Sequence, residues 1–261
     1  MTTFRVIGPG RAGRSLMAAL GAVGGYQSKG ALGRDRSPVG AARDVDLLVI
    51  ATPDDAVAEV ASMVDPVDST AVIHLSGSLG LGVLATHLRR GSLHPLVPLP
   101  SETIGSRRLT SGITFAVAGD PITRMLADSL GGRALEVDDD HRTAYHAAAS
   151  IAANHLVALV GQVERVAAAA GLPLDAFAGL MGAAMGDALA LGPRHALTGP
   201  AVRGDWSTVE RHRAELNGMP GHRTELAAYD AMVGLARRLT IDTAAGETQS
   251  LTAVVGAERV A

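Results

Sequence analysis

Phe4-Arg5-Val6-Ile7-Gly8-Pro9-Gly10-Arg11-Ala12-Gly13-Arg14-Ser15-Leu16 decides how the rest of the chain is read. Phe4–Ile7 is a short apolar run with β-branched residues, and residues 14–20 have the composition of a helix. Strand, G-x-G-x-x-G and helix stand in the order a dinucleotide-binding turn requires. Gly8 permits the tight turn, Gly10 lets the backbone approach a pyrophosphate, and Gly13 lets the helix pack close to the strand. The opening of the helix, at Arg11 and Ala12, adds unpaired N–H groups and a positive dipole end for the phosphates.

Beyond this turn, the end of the second strand selects the nicotinamide cofactor: an acid holds a ribose 2′-OH, and an arginine accommodates a 2′-phosphate. Gly30–Arg34 reads as that strand. Arg34 and Arg36 flank Asp35 and tilt the expectation to NADP, with NAD open; a solvated charged loop is the plainer alternative.

Val45–Ala51 is the clearest strand, a near-continuous apolar run suited to a parallel strand covered on both faces. Thr52 and Pro53 follow at its carboxyl end, where such sheets line their ligand crevice, and Asp54 or Asp55 is expected to cap the helix that follows. Thr70–Leu75 is the next strand; it carries His74 and leads into Ser76-Gly77-Ser78. A short helix at Leu81–Leu88 and a short strand at Ser92-Leu93 come next. His94–Pro100 is proline-rich and is expected to be a rigid loop. Strands at Ile113–Ala118 and Arg133–Val137 and a helix at Pro121–Leu130 complete a β/α alternation. That alternation predicts an α/β Rossmann domain with a doubly wound, mostly parallel sheet.

After Asp138-Asp139-Asp140 no strand signal remains. Arg142–Ala170 is alanine-rich and proline-free and reads as one long helix, followed by helices near 174–191, 207–216 and 224–239. The expected organisation is a dinucleotide-binding domain at 1–139, an all-α domain at 140–240 and a tail at 241–261.

Composition removes several function classes. A net charge of −3 and 3% aromatic residues offer neither a basic footprint nor stacking platforms for nucleic acid. With no cysteine, disulfides and thiolate catalysis are out. The nine histidines show no metal-ligand spacing. No apolar run approaches the roughly 18 residues of a membrane span, and no charged segment precedes an apolar one near residue 1, so a cytoplasmic protein is expected. The single lysine, Lys29, falls between the first helix and the second strand, which argues against lysine catalysis.

Two clusters could do chemistry. His146, Ser150 and Asn154 are spaced i, i+4, i+8 and share one face of a regular helix; they either bond structurally or orient a substrate. Arg203 sits in the glycine-flanked run Thr198-Gly199-Pro200-Ala201-Val202-Arg203-Gly204, where its guanidinium suits a carboxylate or a salt bridge. Ser207 and Glu210 form a capping-box pattern.

The motifs G-P-G-R-A-G, A-T-P-D-D-A, H-L-S-G-S, L-H-P-L-V-P-L-P, Y-H-A-A-A-S-I-A-A-N-H and T-G-P-A-V-R-G-D-W occur in this order over about residues 3–240. In this the chain resembles bacterial proteins in which a Rossmann-like domain precedes a DUF2520 domain. It is similar, more distantly, to pyrroline-5-carboxylate reductases, ketopantoate reductases and 3-hydroxyisobutyrate dehydrogenases. The resemblance implies a helical second domain of 6-phosphogluconate-dehydrogenase type and a homodimer formed through it. It also implies an NAD(P)H-dependent oxidoreductase that reduces a small carboxylated keto substrate, 2-dehydropantoate being one candidate, at a cleft between domains.

One departure bears on the chemistry. The hydroxyacid dehydrogenases carry Lys-x-x-x-Asn, where this chain has Ser150-x-x-x-Asn154. A proton for a ketone would then come from His146, His94, His74 or water, whereas an imine needs less acid assistance. In the expected site Gly8, Gly10, Arg11, Ala12 and Gly13 hold pyrophosphate, and Arg34 and Arg36 the 2′-phosphate. Thr52, Pro53, His74 and Gly77 border the nicotinamide, Ser76, His94 and Arg203 bind substrate, and His146, Ser150 and Asn154 act on it. The alternatives are an imine reductase, a non-catalytic NADP(H)-binding dimer, or use of a deazaflavin.

Overall fold

The structure, a computed structural model, describes residues 1–219 and 224–240. The chain forms two compact units, Met1–His155 and Leu156–Ala261. The expected tail at 241–261 lies outside the described residues.

In the first unit the strands are β1 (Thr2–Ile7), β2 (Tyr26–Leu32), β3 (Leu47–Ile50), β4 (Ala71–His74), β5 (Arg89–Pro95), β6 (Thr114–Gly119) and β7 (Arg133–Glu136). The helices are α1 (Arg11–Val23), α2 (Asp54–Met63), α3 (Glu102–Leu109), α4 (Ile122–Ser129) and α5 (Arg142–Ser150). One sheet runs β2-β1-β3-β4-β5-β6-β7, with every pair parallel except β5 and β6. This is the doubly wound, mostly parallel sheet that the β/α alternation predicts.

Alternation along each strand sorts the core into two layers. Phe4, Val6, Leu47, Val49, Ala71 and Ile73 pack with Leu16 and Leu20 of α1, Leu109 of α3 and Leu126 of α4. On the opposite face Ile7, Leu48, Ile50 and Val72 pack with Val57 and Ala61 of α2 and with Leu84. Leu16 and Leu20 stand at i and i+4, so one stripe of α1 enters the core. Burial of each such leucine contributes about 2 kcal/mol.

The local structure differs from the sequence reading at several points. β2 begins at Tyr26, so Lys29 lies inside the edge strand. Its residues from Gln27 to Gly30 are all exposed, which hides the strand from an apolar-pattern reading. His94 belongs to β5, not to a loop, paired with Ala116 of β6; Pro95 ends the strand, and its missing N–H costs nothing there. The turn after Gly80 is a single 3₁₀ turn, Leu81–Leu84. Helix α3 went unread, although Ser101 caps it by accepting from the Ile104 N–H.

The second unit is helical: α6 (Leu156–Ala169), α7 (Ala178–Leu191), α8 (Pro193–Ala196), α9 (Pro200–Arg203), α10 (Trp206–Gly218) and a helical stretch at 224–240. Asp205, not Ser207, caps α10 by accepting from the Thr208 N–H, and Ser207 donates to Asp205 at 2.9 Å. Buried Glu225 is paired with Arg165, while its carbonyl accepts from Gln162 at 2.9 Å. No residue of Leu174–Leu191 is buried within the chain, and its mean hydropathy of 1.4 over 18 residues makes it long and apolar enough to cross a membrane by composition. Asp175 and Asp187 interrupt the stretch, so it is not an uninterrupted apolar run.

The expected long helix is broken by a π turn at Ile151–His155. The compact first unit runs past the expected boundary at residue 139, because α5 packs on the sheet through Arg142.

Candidate active site

The parallel strands bring the ends of β1, β3, β4 and β5 to one carboxyl edge, where open α/β sheets bind ligands. At the end of β1, Gly8 adopts φ +89°, and a Cβ there would stand 2.8 Å from the Ala51 carbonyl. A Cβ on Gly13 would strike the Gly8 carbonyl oxygen and lie 3.1 Å from Val6. These two glycines are required by the fold itself. Gly10 is different: its φ of −78° suits any residue, and a Cβ would meet nothing within 4 Å. Gly10 is also the N-cap of α1, with no side-chain cap, so the helix opening is left to an external acceptor. The residues present therefore fit a pyrophosphate.

The Gly8 N–H donates to Leu32 at the end of β2, tying the turn to the loop that carries Arg34 and Arg36. Both arginines are exposed, and among the described residues neither makes a side-chain hydrogen bond or ion pair. At the end of β3 the Thr52 hydroxyl is sealed without a partner, beside Pro53, the N-cap of α2. Asp54 does not cap α2. Its Oδ2 accepts from the Ser76 hydroxyl at 2.8 Å and the Ser78 hydroxyl at 2.6 Å, which ties β3 to the loop after β4.

His74 pairs in register with Ser92 on the neighbouring strand, and His94 stands two residues further along the same face. Helix α5 covers this group. The Arg142 guanidinium, 1% exposed, donates to the Ser92 hydroxyl at 2.7 Å and to the Val137 carbonyl at 3.2 Å, with Asp139 3.8 Å away. Asp139 in turn accepts from the Leu81 N–H at 2.8 Å. One turn along α5, Tyr145 places its hydroxyl 2.5 Å from His94 Nδ1, with the rings nearly perpendicular. His146 stacks edge-on against His94 at 5.9 Å.

Gly77 closes the cluster. A Cβ there would lie 2.5 Å from His146 Nδ1 and 2.8 Å from His94 Cε1, so only glycine lets the loop sit against both rings.

Burial keeps His74, His94 and Tyr145 neutral at pH 7. Burial, then the Arg142 cation, pushes His74 down to about 4; the Gly80 backbone approaches its ring without reaching hydrogen-bond geometry, and both ring nitrogens are without partners. Burial, with His146 and Arg142 nearby, likewise lowers His94 to about 4. Burial raises the Tyr145 hydroxyl to about 12 against the pull of Arg142. A guanidinium remains charged, so one buried cation faces neutral imidazoles and a neutral phenol.

Of the residues singled out in sequence, His74, Ser76, Gly77, His94 and His146 converge here. Among the described residues the side chains of Ser150 and Asn154 bond only to each other, at 3.4 Å, and Asn154 is exposed near the end of the π turn. Arg203 lies in the second unit, exposed and without a side-chain partner. Asp54, Ser92, Asp139, Arg142 and Tyr145 were not read as site residues. Tyr145 adjoins His146 in the Y-H-A-A-A motif, the one signal that pointed to it. A groove of about 630 Å³ lined by Thr3, Arg43, Asp46 and Ser69 lies at the amino edge of the sheet and contains none of these groups.

Several solved structures share this fold. Protein TM1727 from Thermotoga maritima is 24% identical over 92% of this chain and 99% of its own, with a TM-score of 0.71. Protein BF3122 from Bacteroides fragilis, provisionally named an NADP oxidoreductase, is 19% identical over 92% and 98%, with a TM-score of 0.72. The pyrroline carboxylate reductase of Plasmodium falciparum, solved with NADP bound, is 12% identical over 92% and 98%, with a TM-score of 0.58. No curated protein matches the chain in sequence. Residues 111–235, from just before β6 into the last described helix, match the family described as "Domain of unknown function (DUF2520)".

Proposed function

We propose that this protein is an NADP(H)-dependent oxidoreductase that reduces the C=O or C=N bond of a small carboxylated substrate. The observation that carries this reading is Gly10: neither its backbone angle nor its neighbours require glycine, and it stands at the uncapped start of α1. Gly8, Arg11, Ala12 and Gly13 complete the pyrophosphate turn. Arg34 and Arg36 are free to take a 2′-phosphate, and NAD is the poorer fit. Thr52, Pro53, His74 and Gly77 border the nicotinamide, which supplies hydride when bound. His94 and Ser76 face the substrate, and His146, Ser150 and Asn154 orient it. Arg203 grips the carboxylate.

The imine reading has its own support. No lysine stands among the site residues, and an imine needs less acid assistance than a ketone. Relatives in fold include, besides the pyrroline carboxylate reductase, an imine reductase from Myxococcus stipitatus solved with NADP+. An NADPH-oxidation screen against 2-dehydropantoate, other 2-ketoacids and 1-pyrroline-5-carboxylate tests both readings. Oxidation with at least one supports the enzyme; saturable NADPH binding with no oxidation would leave a non-catalytic binding protein.

The functional form we propose is a homodimer joined through the helical unit. Leu180 and Leu189 are 69% and 80% exposed on α7, and an apolar helix with no buried residue in its own chain calls for a partner. Asp175 and Asp187 favour a second copy over lipid, since carboxylates are costly in a bilayer.

A further inference from the structure

Three histidines gather at the carboxyl edge of the sheet, yet they are not equivalent. His74 has both ring nitrogens sealed and unpartnered, and the Nδ1 of His146 is sealed likewise. His74 therefore has no route for a proton through a hydrogen bond, and His146 has none through Nδ1. His94 alone is hydrogen-bonded, by Nδ1 to the Tyr145 hydroxyl at 2.5 Å, while its Nε2 is neither sealed nor engaged by protein. The pair therefore forms a path with one open end at His94 Nε2 and the other at Tyr145, which is only half-buried.

We infer that Tyr145 is the proton donor of the reductase and that His94 reprotonates it. This rests on the functional reading above. Hydride from the nicotinamide forms the new C–H bond, and the π pair of the C=O or C=N bond moves to the heteroatom. The Tyr145 O–H bond breaks as the heteroatom takes that proton. The electron pair left on Oη takes the proton from His94 Nδ1 as Nε2 takes one from a hydronium ion of the solvent, so the imidazole stays neutral, and exchange with solvent returns it to the Nδ1–H tautomer. The nicotinamide is oxidised, the substrate is reduced, and the net proton comes from solvent.

Three features suit this role. With His94 neutral, an Nδ1–H tautomer donates to Tyr145 and leaves the phenol hydrogen free to point away from the ring. The buried Arg142 cation interacts favourably with a negative Tyr145 oxygen, so the transient phenolate is stabilised where it forms. Gly77, which any side chain would push into both imidazoles, fixes the position of His94.

The test joins NMR to kinetics. In ¹⁵N-labelled full-length protein, long-range ¹H–¹⁵N correlation should show His94 neutral and protonated at Nδ1 at pH 7. Tyr145→Phe should bind NADPH as the wild type does and keep its melting temperature. On whichever ketoacid or cyclic imine the screen returns, it should lose about 100-fold in kcat with little change in KM. His94→Gln provides a second variant and should also lose kcat while keeping NADPH affinity. Tyr145→Phe turnover within about threefold of wild type, or an Nε2-protonated His94 that accepts from Tyr145, would overturn the assignment. If the screen returns no substrate, the reductase reading fails and the NMR tautomer alone decides whether the pair is set to donate.

Discussion

The two units of this chain solve the burial problem differently. In the first, both faces of a seven-stranded sheet are covered, and β3 and β4 are buried at every position. In the second, the buried apolar residues among those described are Ala167, Val209 and Leu216, while α7 buries none. A unit with a closed core can be read for chemistry from its internal geometry. A unit that leaves Leu180, Leu189 and Leu191 uncovered can be read chiefly for what must cover it.

The largest expected effect breaks the second unit's side of this contrast. Leu180→Glu with Leu189→Glu should weaken self-association by a thousandfold or more, since burying an unpaired carboxylate costs about 4 kcal/mol or more. Light scattering would register the drop from twice the chain mass to once. A wild-type protein that is already monomeric at micromolar concentration removes the proposed dimer.

The next expectation probes the closed core. Arg142→Ala deletes a fully buried side chain and strands the Ser92 hydroxyl and the Val137 carbonyl. It should cost about 3–4 kcal/mol in urea unfolding, with the association state unchanged. A loss below about 1 kcal/mol would mean that Arg142 does not organise the face it covers.

Acid should act on the same place. His74 is held at about 4 in the folded protein, below the 6.5 of an unfolded chain. The unfolded state therefore binds the proton first. Its contribution to stability is fully present above pH 6.5 and fades as pH falls towards 4, by about 2–3 kcal/mol. His74→Asn should roughly halve the slope of the stability–pH curve across that window, because His94 is also held at about 4; an unchanged slope would place the titration elsewhere. The smallest effect is expected at Lys29→Ala on the exposed edge strand, within about 0.5 kcal/mol and without loss of activity.

Much of this was legible in sequence, where local rules apply. The glycine turn could be read because Gly8 and Gly13 answer to backbone sterics, and the strands because β3 and β4 are uninterrupted apolar runs. The site was half legible. His74, Gly77, His94 and His146 were singled out individually, but their convergence depends on which strands neighbour each other and on where α5 crosses them. Arg142 read as the start of a helix, and nothing in its neighbours announces a cation buried against Ser92. Tyr145 acquires its meaning only from His94, which the proline run disguised as a loop residue. The π turn leaves no mark in a segment of alanine, isoleucine and asparagine, so the break in the expected long helix could not be read from its residues.

The most direct test of the central reading is NADPH binding by Gly10→Val, followed by calorimetric titration. Because a Cβ at this position meets nothing in the protein, the variant should stay folded, with a loss of stability of about 1 kcal/mol from valine at an N-cap. The wild type should bind one NADPH per chain, and the variant should bind at least about 100-fold more weakly, a loss of about 3 kcal/mol. Equal affinity in the two proteins, or no binding by the wild type, would contradict the assignment of the turn.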